Sequence, residues 1–167
     1  SLGIYECPVP YKRILSDEVF DWIIASGRFS FLKDTCCDID RIERRLRRAE
    51  GTSFRHYNAH ADTLVQSLLL GVRGYSGVQA NCSIQLLRQV CDRYADPEGT
   101  TESLALLNRV AEFCPAHSYP IAAKEILRLR GIFSSNHTRS LSMSGFKEAD
   151  RAASASMLGE LLAFEDR

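Results

Sequence analysis

The sequence predicts an α/β fold in which parallel strands are each followed by a helix, with a run of helices alone after them. Three observations carry that expectation. Up to about residue 96, short apolar or aromatic runs alternate with segments whose apolar residues recur at helical spacing. Each intervening segment is long enough to hold a helix, which returns the chain across the sheet and leaves consecutive strands parallel. Beyond Pro97 the strand pattern stops and only helical stripes remain.

The elements follow in order. Leu2-Gly3-Ile4-Tyr5 reads as a short strand, stopped at Glu6-Cys7-Pro8 because Pro8 and Pro10 donate no ladder hydrogen bond. Ser16 is a predicted N-cap, with Asp17 and Glu18 favoured in the first turn by the helix dipole. Val19, Phe20, Ile23 and Ile24 make that helix's apolar face, and Gly27 ends it. Residues 29–32 form the next strand, closed by Lys33 and the polar turn Asp34-Thr35-Cys36-Cys37-Asp38. A helix from about Asp38 repeats Ile39, Ile42 and Leu46 and stops at Gly51. Its five arginines (Arg41, Arg44, Arg45, Arg47 and Arg48) are interleaved with Asp40 and Glu43 and lack aromatic stacking partners. They are therefore expected to form a solvated face and not a nucleic-acid surface.

The third strand spans 53–57 and runs into Asn58-Ala59-His60, followed by a helix through Leu64, Val65, Leu68 and Leu69 that Gly71 closes. The fourth spans 74–78, followed by a helix through Leu86, Leu87 and Val90. Further stripes (Leu104, Leu107, Ala111, Cys114; Ile121, Ala122, Ile126, Leu129; Met157, Leu158, Leu161, Leu162) are packing faces. The expected division is residues 1–96 for the strand-and-helix part and 97–167 for the helical extension.

Composition narrows the function classes. With 167 residues the chain can bury a core of its own, and its 21 basic and 21 acidic side chains cancel. No global field favours nucleic acid or an anionic membrane, and no apolar run approaches the roughly 20 residues of a membrane span. A basic start followed by a hydrophobic leader is also missing, so a cytoplasmic protein with reduced thiols is expected. The first residue is Ser1, and a strand follows almost at once, which reads as a piece of a longer chain. The adjacent Cys36-Cys37 and the pair His56 and His60 do not match metal-ligand spacing on one element, so no metal site is expected. No G-x-G-x-x-G or G-x-S-x-G motif is present.

Chemistry is expected at the carboxyl ends of the strands, where parallel α/β folds gather it on one side. Lys33 at such an end, among apolar neighbours, is a candidate nucleophile; the alternative is a lysine that leaves the strand and pairs with Asp34 in water. Tyr5, on the neighbouring strand, would relay protons, or else be a core aromatic. Asn58, Ser76 and Gly77 complete the expected rim, glycine allowing a backbone to approach a ligand closely.

Three segments then carry a resemblance: Ile4-Tyr5-Glu6-Cys7-Pro8, Phe31-Leu32-Lys33-Asp34-Thr35 and Gly74-Tyr75-Ser76-Gly77-Val78-Gln79-Ala80-Asn81. In that order they resemble the second half of the dihydrodipicolinate synthase / N-acetylneuraminate lyase family. Ala123-Lys124-Glu125-Ile126-Leu127, through Gly131 to Arg139, is similar to its tail. The resemblance implies the C-terminal half of a (β/α)8 TIM barrel with C-terminal helices, working as a class I aldolase without cofactor or metal. By motif position, Lys33 would form a Schiff base with a 2-oxo acid such as pyruvate, Tyr5 would shuttle protons, and Ser76 and Gly77 would lie against the bound acid. It also implies a homo-oligomer, dimer or tetramer, in the full-length protein.

Three departures bear on substrate. A whole barrel takes about 250 residues, so this chain would supply only its last four strands. The family's Gly-Thr-Thr/Ser-Gly-Glu carboxylate-binding motif does not occur here. Pro10 stands where the synthases carry an arginine, and Asn58-Ala59-His60 replaces the acidic pair of the sugar-acid lyases. A non-catalytic barrel relative that binds a small organic acid or a protein partner is the alternative. Residues 1–167 by themselves are expected to be inactive.

Overall fold

The computed structural model describes residues 1–166. It holds four parallel strands in sheet order β1-β2-β3-β4: β1 Leu2–Tyr5, β2 Phe29–Asp34, β3 Arg55–Asn58 and β4 Gly74–Tyr75. The helices between them are α1 (Asp17–Ser26), α2 (Ile39–Arg48) and α3 (Leu64–Leu69). After β4 come a 3-10 turn at Val78–Asn81 and α4 (Ile84–Arg93), α5 (Pro97–Ala116), α6 (Ile121–Leu129) and α7 (Glu148–Glu165). The α/β class and four consecutive parallel strand–helix units in the order β1-β2-β3-β4 agree with the sequence expectation of part of a TIM barrel.

The chain divides into two compact units, Ser1–Gly77 and the segment from Val78 onward. In the later unit α4 packs with α5 and α7. In the first unit, Phe20, Ile23, Leu32, Ile42, Leu64 and Val72 are buried between the strands and α1–α3, with Phe20 edge-on to Phe54 at 5.7 Å. The second buries Leu86, Leu87 and Val90 of α4, Leu106, Leu107, Val110 and Phe113 of α5, Ile121 and Ile126 of α6, and Met157 and Leu161 of α7.

The caps arise as the sequence dictates. The Ser16 hydroxyl accepts from the Val19 amide, Asp38 accepts from Arg41, and Gly27 ends α1 at φ 63°. That left-handed backbone costs a side chain with a Cβ about 1 kcal/mol or more, which is why glycine suits it. Strand ends differ from expectation. β2 continues through Asp34, β3 starts at Arg55 and continues to Asn58, and β4 is only two residues long.

Strand alternation sorts the two faces of the sheet. Leu32, Asp34, His56 and Asn58 are buried on the helix-covered face. Gly3, Tyr5, Phe31, Lys33, Tyr57 and Gly74 share register on the other. There the Phe31 ring lies over Gly3, where any Cβ would stand 2.2 Å from it, and meets Tyr57 edge-on at 6.0 Å. Among the described residues of the first unit no helix covers this second face: Tyr5 is 49% and Phe31 40% exposed. Parallel sheets are normally covered on both faces, and edge strands such as β1 and β4 are templates for association. The 167-residue chain alone is therefore expected to elute from size exclusion as a dimer or larger, and Phe31→Glu to shift it toward monomer. A monodisperse monomer that unfolds cooperatively would contradict this.

Candidate active site at the strand ends

Tyr5 and Lys33 are register partners, each at or next to the last residue of its strand. Lys33 Nζ stands 4.3 Å from the centroid of the Tyr5 ring. A cation over an aromatic face at that distance is an electrostatically favourable pair. Lys33 is half-buried, and among the described residues no carboxylate lies within ion-pair distance of its amine. The alternative in which Lys33 pairs with Asp34 does not occur. Asp34 projects to the opposite face, wholly buried, with Oδ2 2.5 Å from Arg45 Nη1 and 2.7 Å from His56 Nε2.

Those contacts form a polar core directly beneath the Tyr5–Lys33 pair. Arg45 Nη2 donates to Glu6 Oε1 at 2.5 Å and to the Leu15 carbonyl at 3.1 Å, and Nη1 reaches Glu6 Oε2 at 3.2 Å. Glu6 accepts in addition from the amides of Leu15 (2.8 Å) and Thr35 (3.3 Å). Burial alone would push the Asp34 carboxyl up. Hydrogen bonds from His56 and Cys36, together with the Arg45 charge, outweigh it and hold the group well below the usual carboxylate range. The solvated face expected for all five arginines of α2 is thus corrected at one position: Arg45 is fully buried, because two carboxylates at the strand ends supply its partners.

Asn58 also requires a correction. It was expected on the same rim as Lys33, but its side chain is on the helix face and 1% exposed. Its Nδ2 donates to Thr63 Oγ1 and Ser67 Oγ, both at 3.0 Å, and its Oδ1 accepts from the His60 amide at 2.8 Å. Because β3 pairs Lys33 with Tyr57, alternation turns Asn58 away and leaves Tyr57 in the row with Tyr5, Lys33 and Gly74. Tyr57 is the rim residue that sequence reasoning missed, and its signal was the shared alternation of Phe31-x-Lys33 and Arg55-x-Tyr57. Ser76 and Gly77 follow β4, and the Ser76 amide donates to the Asn58 carbonyl at 2.7 Å. At Gly77 a Cβ would stand 2.1 Å from the Tyr75 hydroxyl, so that side chain already occupies the space the glycine opens.

The thiols around the turn differ in character. Burial, then a hydrogen bond to Asp34 and its charge, push Cys36 up to about 12. At neutral pH a maleimide is expected to modify exposed Cys7 and Cys37 and to spare Cys36, as read by peptide mass mapping. Rapid modification of Cys36 would contradict this. The described residues hold no cluster of three or more His, Cys, Asp or Glu side chains fit for a metal ion, and no helix long and apolar enough to cross a membrane. A cleft of about 480 Å³ in the second unit, lined by Gln85, Arg93, Glu98, Glu102 and Glu165, offers no lysine or tyrosine.

A model of the dihydrodipicolinate synthetase family matches residues 4–158, and the chain belongs to that family. No curated protein sequence matches it at a significant level. Among solved structures, N-acetylneuraminate lyase from Fusobacterium nucleatum complexed with pyruvate superposes with a TM-score of 0.83 at 17% identity, covering 96% of this chain and 54% of that one. Dihydrodipicolinate synthase from Thermotoga maritima gives 0.81 at 21% identity, covering 95% and 55%. The chloride-inhibited dihydrodipicolinate synthase from Acinetobacter baumannii, complexed with pyruvate, gives 0.80 at 19%, covering 95% and 54%. The chain therefore spans about half the length of the structures it resembles, and at these identities the likeness is one of fold.

Proposed function

We propose that this chain contributes the Schiff-base half of a carbon–carbon lyase or aldolase acting on a 2-oxo acid of the pyruvate type. The observation that carries the reading is the Lys33 amine 4.3 Å from the Tyr5 ring centroid at register-paired strand ends, in a member of the dihydrodipicolinate synthetase family. Family relatives complexed with pyruvate support the substrate class.

Lys33 Nζ, as free amine, attacks the keto carbon, and the carbonyl oxygen takes up a proton to give a carbinolamine. Loss of that oxygen as water leaves an iminium, and loss of a C3 proton gives the enamine that bonds to an aldehyde. Cleavage is the reverse. Each step moves a proton, which the Tyr5 phenol would give and take. The main chain at Ser76 and Gly77 would lie against the bound acid. Asn58 would serve through the β3–α3 loop it holds. Residues 1–96 are the barrel half in this reading, 97–167 its helical extension, and the full-length protein a cytoplasmic homo-oligomer.

The full-length gene product is expected to release pyruvate from at least one 4-hydroxy-2-oxo acid, followed by a coupled dehydrogenase assay. Absence of release across a panel of such adducts would contradict the proposal and favour a relative that binds without turnover.

A further inference from the structure

The two site residues are each followed in sequence by a buried carboxylate, and one guanidinium holds both. We propose that Arg45 is a positioning residue of the Tyr5–Lys33 pair, acting through Glu6 and Asp34; the inference rests on the aldolase reading above.

Neighbouring residues of a strand have Cα atoms about 3.8 Å apart and project to opposite faces. Whatever immobilises Glu6 and Asp34 on the helix side therefore sets where Tyr5 and Lys33 stand on the open side. Arg45 meets Glu6 through both terminal nitrogens (2.5 and 3.2 Å) and Asp34 through one (2.5 Å). It thereby bolts the end of β2 to the segment just past β1 from a rigid helix, α2. His56 Nε2 on Asp34 (2.7 Å) extends the connection to β3, and Thr35 Oγ1 donates to the Glu6 carbonyl at 2.5 Å. The main chain closes the same joint, with the Glu6 amide on the Lys33 carbonyl at 3.2 Å. Arg45, Glu6 and Asp34 are all within 2% of complete burial.

Stability alone is a poor reason for such a cluster. Apolar residues of similar volume commonly replace buried ion triads at no loss, and the best-attested use of buried charge is to specify one arrangement. Here the arrangement specified is the relative placement of two strand ends that need a common geometry. A planar fork that bridges two carboxylates is also something lysine cannot reproduce.

The test uses the full-length protein, wild type, with Arg45→Lys, the shape-conserving Glu6→Gln and Asp34→Asn, and the charge-neutral triple substitution Arg45→Met with Glu6→Gln and Asp34→Asn. Imine formation is timed by borohydride quench with pyruvate, alongside Tm. The rate at saturating pyruvate is expected to fall tenfold or more in Arg45→Lys and Glu6→Gln while KM moves less than threefold. The triple variant is expected to recover Tm but not rate. A folded Arg45→Lys within twofold of wild type, a triple variant that recovers both, or a set in which no variant folds would overturn the proposal. A substrate-free reading separates it from the aldolase assignment: labelling of Lys33 by trinitrobenzenesulfonate, mapped by mass, is expected to quicken at least fivefold in Glu6→Gln. If wild type forms no imine, the aldolase reading fails, and labelling alone decides the clamp: unchanged labelling overturns it.

Discussion

Arg45→Ala is expected to remove about 3–5 kcal/mol of folding stability, the range found when one partner of a buried ion pair is deleted. Natural domains are stable by only about 5–15 kcal/mol, so the substitution would consume a large share of the total. The mechanism is the stranding of charge. Glu6 and Asp34, 2% and 0% exposed, would lose the guanidinium while remaining out of water. The deletion also leaves a cavity where the Arg45 side chain lies against the Phe20 ring. Urea unfolding followed by circular dichroism would measure the loss, and a change under about 1 kcal/mol would show that water reaches these carboxylates.

The same cluster sets an acid limit. A carboxyl held below its unfolded value of about 3.9 stabilises the fold above that pH and loses the contribution as pH falls toward the folded value. For Asp34, whose folded carboxyl is depressed, stability is thus expected to drop steeply below about pH 4. Asp34→Asn should be less stable at neutral pH and flatter across the acid range. An unaltered acid slope in Asp34→Asn would place the sensitivity elsewhere.

The second large effect is chemical. Tyr5→Phe is expected to lower the rate of aldol cleavage by about 10²–10⁴, the usual contribution of a positioned acid–base group. The aromatic ring that lies against the Lys33 amine survives this substitution, so the amine keeps its neighbour and only the phenolic hydroxyl is removed. Loss in kcat with little change in KM is therefore predicted. An equal loss on replacing a tyrosine of the second unit, such as Tyr94 at the end of α4, would indicate general damage and not proton transfer.

Much of this fold was legible because it depends on local pattern. Ser16 and Gly27 bracket α1, Asp38 opens α2, and the alternation of strands with helices required a parallel order; the structure has each of these. The tyrosine and lysine motifs could be placed on adjacent strands because consecutive βα units put their strands side by side. What escaped was information held in three dimensions. Arg45 sits in a run of arginines whose other members are partly or largely exposed, and nothing local distinguishes the one that meets two distant carboxylates. Asn58 was assigned to the wrong face because it was read as a loop residue past the strand end, whereas β3 includes it and alternation turns it opposite to Tyr57. β4 shrank to two residues at Gly74, which adopts φ 156° and brings no side chain to the pairing.

The central claim is that Lys33 is the imine-forming residue, and covalent trapping tests it most directly. The full-length protein, incubated with pyruvate and reduced with borohydride, should gain the mass of one reduced pyruvyl group. Peptide mapping should place that group on Lys33, and Lys33→Ala should gain nothing while remaining folded. No adduct on the folded wild type, or an adduct that persists in Lys33→Ala, would contradict the account.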